Sequence, residues 1–247
     1  MEGSSPPPAA SSTGLSPPYP LAGGLPMRYL AYRRRRTGLL GALGLWQSYY
    51  ARIGDSILVE LPSHEYRDLL VRQLANNFGL EADGGVLVLT YGSATSTIMP
   101  GGGRVLVGLS DQTLVHGAFP LLSAGGRVAI SLEGLSTTES AAALSWLAPH
   151  LLGFAARGAR PLMLVIEGVD RVMGSAGLFR QFDAVRRVLG EVGCTQVLIA
   201  DPAAAVAQEA MASLRHGCAL HFGDVRPADS RDGGIPVPRH SPIPDRV

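Results

Sequence analysis

From residue 53 onward the apolar positions keep changing their period, and each change marks a new element. Ile53 to Glu60 is a short, almost unbroken apolar run and predicts a strand. Glu65 to Phe78 follows with Leu69, Leu70, Leu74 and Phe78 at helical spacing. The Ala82-Asp83-Gly84-Gly85 turn leads into a strand from Val86 to Tyr91, and Gly92 to Gly103 is small and polar, as a mobile loop would be. Arg104 to Leu109 predicts a strand, and Asp111 to Leu122 a short helix with Asp111 near its N-cap. Gly125-Gly126 opens a strand from Arg127 to Leu132. Thr137 or Thr138 then caps a helix through Ala156, with Glu139 in its first turn.

Leu162 to Glu167 is a continuous apolar run, the mark of a strand covered on both faces and so of a largely parallel sheet. Gly177 to Val192 predicts an amphipathic helix with Arg180, Asp183, Arg186, Arg187 and Glu191 on its wet side. A strand over Gln196 to Ala200, a helix over Ala203 to Leu214 and a last strand over Cys218 to Phe222 complete the series. Strands alternating with helices predict an α/β fold, a three-layer sandwich with helices on both faces of the sheet, over residues 53–223.

The two ends differ in composition. Residues 1–26 are Pro, Ser, Gly and Ala with few large apolar side chains, too few to offset the entropy of ordering, and predict a disordered tail. Residues 224–247 predict a second one. Met27 is an alternative start. Residues 27–52 hold Arg33-Arg34-Arg35-Arg36 and the apolar stretch Leu39 to Trp46, and predict a basic and apolar linker or a helix packed on the domain. The pairing of a basic and an apolar segment is also that of a secretion signal, but no small-residue cleavage site follows and the stretch is too short to span a bilayer. Arg33, Arg34, Arg35 and Arg36 are the candidate arm for nucleic acid or acidic lipid.

Composition narrows the rest. The chain has 247 residues, 46% hydrophobic, and a net charge of +1, which gives no global drive toward polyanions. Every basic residue is Arg, a pattern that GC-rich coding produces without selection. Cys194 and Cys218 have no metal or redox spacing and read as two buried thiols in a reducing cytoplasm; a disulfide between neighbouring strands is the alternative. The six histidines are scattered, without metal-ligand partners, and no Gly-x-Ser-x-Gly elbow occurs. The hydroxyl-rich Gly92 to Thr97 reads as loop.

The element order from Gly54 to Phe222 resembles that of the RecA-like P-loop ATPases, in particular their KaiC-like branch. Gly54-Asp55-Ser56-Ile57-Leu58-Val59 is similar to the opening of such domains, and Leu61 to Asp68 stands where their phosphate loop would be. Pro62 fits that loop. Leu61 and Tyr66 occupy glycine positions, Arg67 the Lys position and Asp68 the Ser/Thr position. The cradle needs glycines so that backbone N–H groups can approach phosphate, and Asp68 would put a carboxylate where the phosphate belongs. Arg67 keeps the charge without the reach of a lysine. Leu162 to Glu167 resembles the Walker B strand, with Glu167 as the acid that would help hold Mg²⁺ and Asp170 just beyond it; the alternative is a strand-end carboxylate that caps a helix. The second strand, which in this family precedes a catalytic acid, ends at Tyr91-Gly92 without one. Gly125-Gly126-Arg127 looks like a strand entry of Rossmann-type methyltransferases, but the first turn lacks their glycines, so a plain turn is the better reading.

The resemblance thus implies a degenerate Walker A motif and a non-catalytic cytoplasmic domain with no cofactor, acting as an assembly or regulatory subunit with a protein partner or with itself. Two alternatives stand beside it: a divergent ATPase using Arg67 on phosphate and Glu167 near Mg²⁺, and a nucleic-acid-associated paralogue using the Arg33–Arg36 arm. No transmembrane segment is expected.

Overall fold

A computed structural model of the chain describes residues 29–35, 46–61, 64–90, 103–107, 109–157, 160–172, 176–202, 208–223 and 238–239. In chain order the elements are β1 (Tyr29–Arg35), β2 (Trp46–Arg52), β3 (Ser56–Glu60), α1 (His64–Ala82), β4 (Gly85–Thr90) and β5 (Arg104–Val107). A π-helical run over Thr113–Ala118 continues into α2 (Phe119–Ser123), followed by β6 (Arg127–Ser131), α3 (Thr137–Ala156), β7 (Leu162–Glu167) and the single turn α4 (Val169–Val172). The chain closes with α5 (Ala176–Glu191), β8 (Thr195–Ile199), α6 (Gln208–Gly217), β9 (Leu220–Gly223) and β10 (Pro238–Arg239).

The main sheet runs β10-β9-β3-β8-β7-β4-β6-β5. Every pairing in it is parallel except that of β10 with β9. The continuous apolar runs are its central strands, as burial on both faces requires: β3, β4, β7 and β8 are buried along their whole length. Alternate residues feed two cores. Leu58, Leu87, Leu89, Leu164, Ile166 and Leu198 face α2, α3, α5 and α6. Ile57, Val59, Val88, Val165, Val197 and Phe222 face α1, whose Leu70, Leu74 and Phe78 close the second core together with Ala51. The chain is therefore a three-layer α/β sandwich with a largely parallel central sheet.

Several sequence expectations are corrected. Residues 27–52 were expected to form a linker or a helix; instead β1 and β2 pair antiparallel as a separate two-stranded sheet, with β1 lying against α1. Arg33, Arg34 and Arg35 thus belong to a strand, while Arg36 lies outside the described residues. The C-terminal segment was expected to be tail throughout, but Pro238 and Arg239 pair with Phe222 and His221 of β9. Of the helix starts, Asp111 does lie near the cap, which is Ser110: its hydroxyl accepts the Thr113 N–H at 3.0 Å. Ser136, not Thr137 or Thr138, caps α3, in a reciprocal box with Glu139. Arg186 is not on a wet face. It is buried, donating to Asp183, to the Ser56 hydroxyl and to the Gly217 carbonyl, and so ties α5 to the amino ends of β3 and β9. Cys194 and Cys218 are free thiols at the starts of β8 and β9, with β3 between those strands, and burial pushes both up to about 12. The 1–26 tail and the Gly92 to Gly102 loop lie outside the described residues.

Tight entries set the strand ends. A Cβ on Gly85 would stand 2.7 Å from the Leu122 carbonyl oxygen, so the first residue of β4 must be glycine for α2 to pack there. Ser136→Ala should lower the melting midpoint by about 2–4 °C, because the cap holds only the first turn of a long, otherwise well-packed helix. A thermal melt of that variant checks it. Among the described residues no helix is long and apolar enough to cross a membrane.

Candidate functional site

In a parallel sheet with helical crossovers, ligand sites form at the carboxyl ends of the strands. Two charged clusters occupy that edge here, one on each face of the sheet.

The first lies beneath the amino end of α1. Thr90 and Glu167 are the last residues of β4 and β7, which are neighbouring strands in register from Gly85↔Leu162 to Leu89↔Ile166. The alternation that sends Val88 and Val165 toward α1 sends Thr90 and Glu167 there too. The Thr90 hydroxyl donates to Glu167 Oε2. Arg67, in the first turns of α1, donates from Nη2 to Glu167 Oε1 at 3.4 Å, and its Nε lies 3.8 Å from Asp68 Oδ1. Arg67 and Glu167 are each 8% exposed, and Thr90 and Asp68 are buried beside them. A buried guanidinium thus meets a buried carboxylate whose second oxygen is also occupied.

The backbone around this pair explains its geometry. Only Leu61, Pro62 and Ser63 separate the end of β3 from the start of α1. The stretch where a phosphate loop would stand is therefore mostly helix. From Asp68 onward the N–H groups point along the helix axis to carbonyls one turn back, rather than inward to a ligand. Asp68 sits in the second turn of α1, past the first turn on which the helix dipole acts most directly.

The second cluster lies on the opposite face, under α6. Glu60 ends β3 and, by the same alternation, shares the face of Leu58. Arg215 of α6 donates from Nε and Nη2 to its two oxygens, both at 2.7 Å, and His221 Nε2 of β9 lies 2.6 Å from Oε2. Burial alone would push the Glu60 carboxyl up. The hydrogen bonds and charges of Arg215 and His221 outweigh it and hold the group at about 2. Arg215 is 47% exposed on its side chain and screens the buried carboxylate from solvent.

Of the residues singled out from sequence, the structure brings Arg67, Asp68 and Glu167 together, and leaves Arg33, Arg34 and Arg35 apart on β1. Pro62 lies outside the described residues. Asp170 does not join Glu167; its carboxylate accepts the Asp201 N–H at 3.0 Å and so links α4 to the end of β8. Sequence reading missed Thr90, although a hydroxyl closing an otherwise aliphatic strand was a signal, and it missed the Glu60 cluster, whose members are distant along the chain. A groove between the end of β6 and α3, lined by Leu132, Leu135 and Trp146 with Glu133 and Glu139 at its rim, touches none of these residues. Among the described residues no group of three or more His, Cys, Asp or Glu is placed to hold a metal ion.

No family model matches the chain, and no curated protein does. Among solved structures it is similar to the crystal structure of the flagellar accessory protein FlaH from Methanocaldococcus jannaschii, at 12% identity and a TM-score of 0.42, over 68% of this chain and 70% of that one.

Proposed function

We propose that this chain is a RecA-like domain whose nucleotide site is closed from within, and that it serves in the cytoplasm as a non-catalytic assembly or regulatory subunit. One observation carries the reading. Where an ATPase of this architecture would keep a cation for phosphate and an acid for Mg²⁺ apart and open to ligand, Arg67 and Glu167 neutralise each other in a buried pair. To take up a phosphate, Arg67 would have to leave Glu167, which would then remain buried with Thr90 alone, a change that costs several kcal/mol. The helix that replaces the loop offers no ring of inward N–H groups in compensation. Thr90, at the end of the second strand, cannot act as a base toward water. What supports an assembly role is the fold itself: a domain of this architecture that performs no hydrolysis still presents the subunit edges through which its relatives form rings or filaments, a fold-level analogy.

Mg-ATP or Mg-ADP in millimolar excess should leave the melting midpoint unmoved, because a ligand stabilises only what it binds. A nucleotide-dependent rise that Arg67→Ala abolishes would refute the closed site. Light scattering after size exclusion, alone and with co-purified proteins, tests the assembly half; a chain that stays monomeric and captures no defined partner removes it.

A further inference from the structure

The groove beside α3 belongs to neither charged cluster, yet it lies beyond the carboxyl end of β6, at the edge of the sheet where this architecture places its ligands. Its α3 wall is one helical stripe: Glu139, Ala142, Ala143 and Trp146 stand at i, i+3, i+4 and i+7. The other wall comes from the end of β6. There the Leu132 carbonyl accepts the Leu135 N–H at 3.2 Å, and Gly134 has φ 86°, the left-handed value that the third position of such a turn needs. The turn brings Glu133 and Leu135 to the groove, and Leu109 and Leu132 add aliphatic surface continuous with the core. The space between the walls is about 780 Å³, the size of a small-molecule pocket.

We propose that this groove binds a small organic cation, a protonated amine carried on an apolar body. Among the described residues its lining carries two carboxylates, Glu133 and Glu139, and no basic side chain. The Ser136 N–H and hydroxyl hold the Glu139 carboxyl below its ordinary value, so it stays charged; both bonds go to Oε2, which leaves Oε1 open to another donor. Glu133 is tied by its N–H to the Ser131 hydroxyl at 3.4 Å, and its exposed carboxylate meets no cation among the described residues. Trp146 adds an aromatic ring. Its indole is braced by His150, with ring centroids 4.4 Å apart, and His150 Nε2 in turn lies 3.4 Å from Asp111 Oδ1. A ring face and two carboxylates attract an ammonium together, while the leucines take up its hydrocarbon body. An anion would be repelled by both glutamates, and a neutral ligand would leave them unused. The groove touches neither Arg67 nor Glu167, so the proposal stands apart from the closed nucleotide site.

The test is isothermal titration calorimetry of the full chain with phenethylammonium chloride, against phenethyl alcohol and hydrocinnamate as neutral and anionic counterparts of similar size. The ammonium should bind with a Kd of about 1 mM or tighter, and the alcohol at least about 5-fold more weakly. Hydrocinnamate should not bind. Glu133→Gln should weaken the ammonium about 2- to 5-fold and leave the alcohol unchanged, whereas Glu191→Gln, at an exposed acid on α5, should change neither. Trp146→Leu keeps apolar surface but removes the ring, and should cost the ammonium about 2- to 5-fold. Ala142→Arg, at an exposed helical position, supplies a tethered cation of its own; it should abolish binding and keep the wild-type melting midpoint. The proposal is overturned if phenethylammonium does not bind at millimolar concentration, or if the alcohol binds as tightly. Equal losses from Glu133→Gln and Glu191→Gln, or full binding to Ala142→Arg, overturn it too. So does displacement of the amine by an equal concentration of a peptide of residues 29–36, which would make the groove a docking surface for an arginine-bearing chain.

Discussion

Glu167→Ala should destabilise the fold by about 3 kcal/mol, a fall of roughly 6–12 °C in the melting midpoint for a domain of this size. The cost arises less from the lost attraction than from what remains: a guanidinium buried beneath α1, and a Thr90 hydroxyl deprived of its acceptor. Asp68, 3.8 Å from Arg67 Nε, relieves part of the charge, which keeps the estimate at the lower end for a broken buried pair. Glu167→Gln retains an acceptor for Thr90 and should fall between the two. The double replacement Arg67→Met with Glu167→Leu removes both charges at similar volume and should lie within about 1 kcal/mol of the wild type. The double-mutant cycle then shows a coupling of about 2 kcal/mol or more, measurable by urea denaturation. If the two residues were instead held apart for phosphate and Mg²⁺, the strain of an open site would make Glu167→Ala neutral or stabilising, and the single effects would add. Additivity would therefore count against the closed site on stability alone, with no nucleotide present.

The parts of this arrangement differ in how far they could be read from the chain. Ile57 to Val59 and Leu162 to Ile166 were legible because burial on both faces leaves a strand uniformly apolar, and α1 because one wall of core contact imposes helical spacing on Leu70, Leu74 and Phe78. The meeting of Arg67 with Glu167 was half legible: each stood at a motif position, yet only the fold shows that they neutralise each other. The hairpin was not legible as strands. The run Leu39 to Trp46 favoured a helix, while the true signal, alternation matched between Tyr29–Arg35 and Trp46–Arg52, exists only once the pairing is known. Thr137 and Thr138 hid the cap at Ser136, because three consecutive hydroxyl residues each satisfy the composition of an N-cap and only one has the extended backbone it needs. Glu60, Arg215 and His221 left no trace in sequence: a carboxylate at the end of an apolar strand gives no hint of a guanidinium 155 residues later.

That cluster should govern how the protein responds to acid. Glu60 is held at about 2 in the folded state, against an ordinary value of 4.5. A carboxyl depressed by folding stabilises the native state fully above its unfolded pKa, and the contribution is lost as pH falls toward the folded one, because the unfolded chain takes up the proton first. The window is therefore pH 4.5 down to 2, and the contribution at neutral pH is about 3 kcal/mol. Many carboxylates titrate in that range, so the informative quantity is the difference between wild type and Glu60→Gln. The variant should be less stable by about 2–3 kcal/mol at pH 7, and the gap should close as the pH is lowered to 2. Arg215→Gln removes the bidentate partner, lets burial raise the Glu60 carboxyl, and should move the acid limb to higher pH. Glu139 is held low as well, by Ser136, but it stands in water, so Ser136→Ala should leave the acid limb almost unmoved. Parallel stability curves for wild type and Glu60→Gln from pH 7 to 2 would mean that the cluster does not shift Glu60 at all. A gap that closes only for Glu60 would place the acid-sensitive lock at the carboxyl end of β3, on the face of the sheet opposite the Arg67–Glu167 pair.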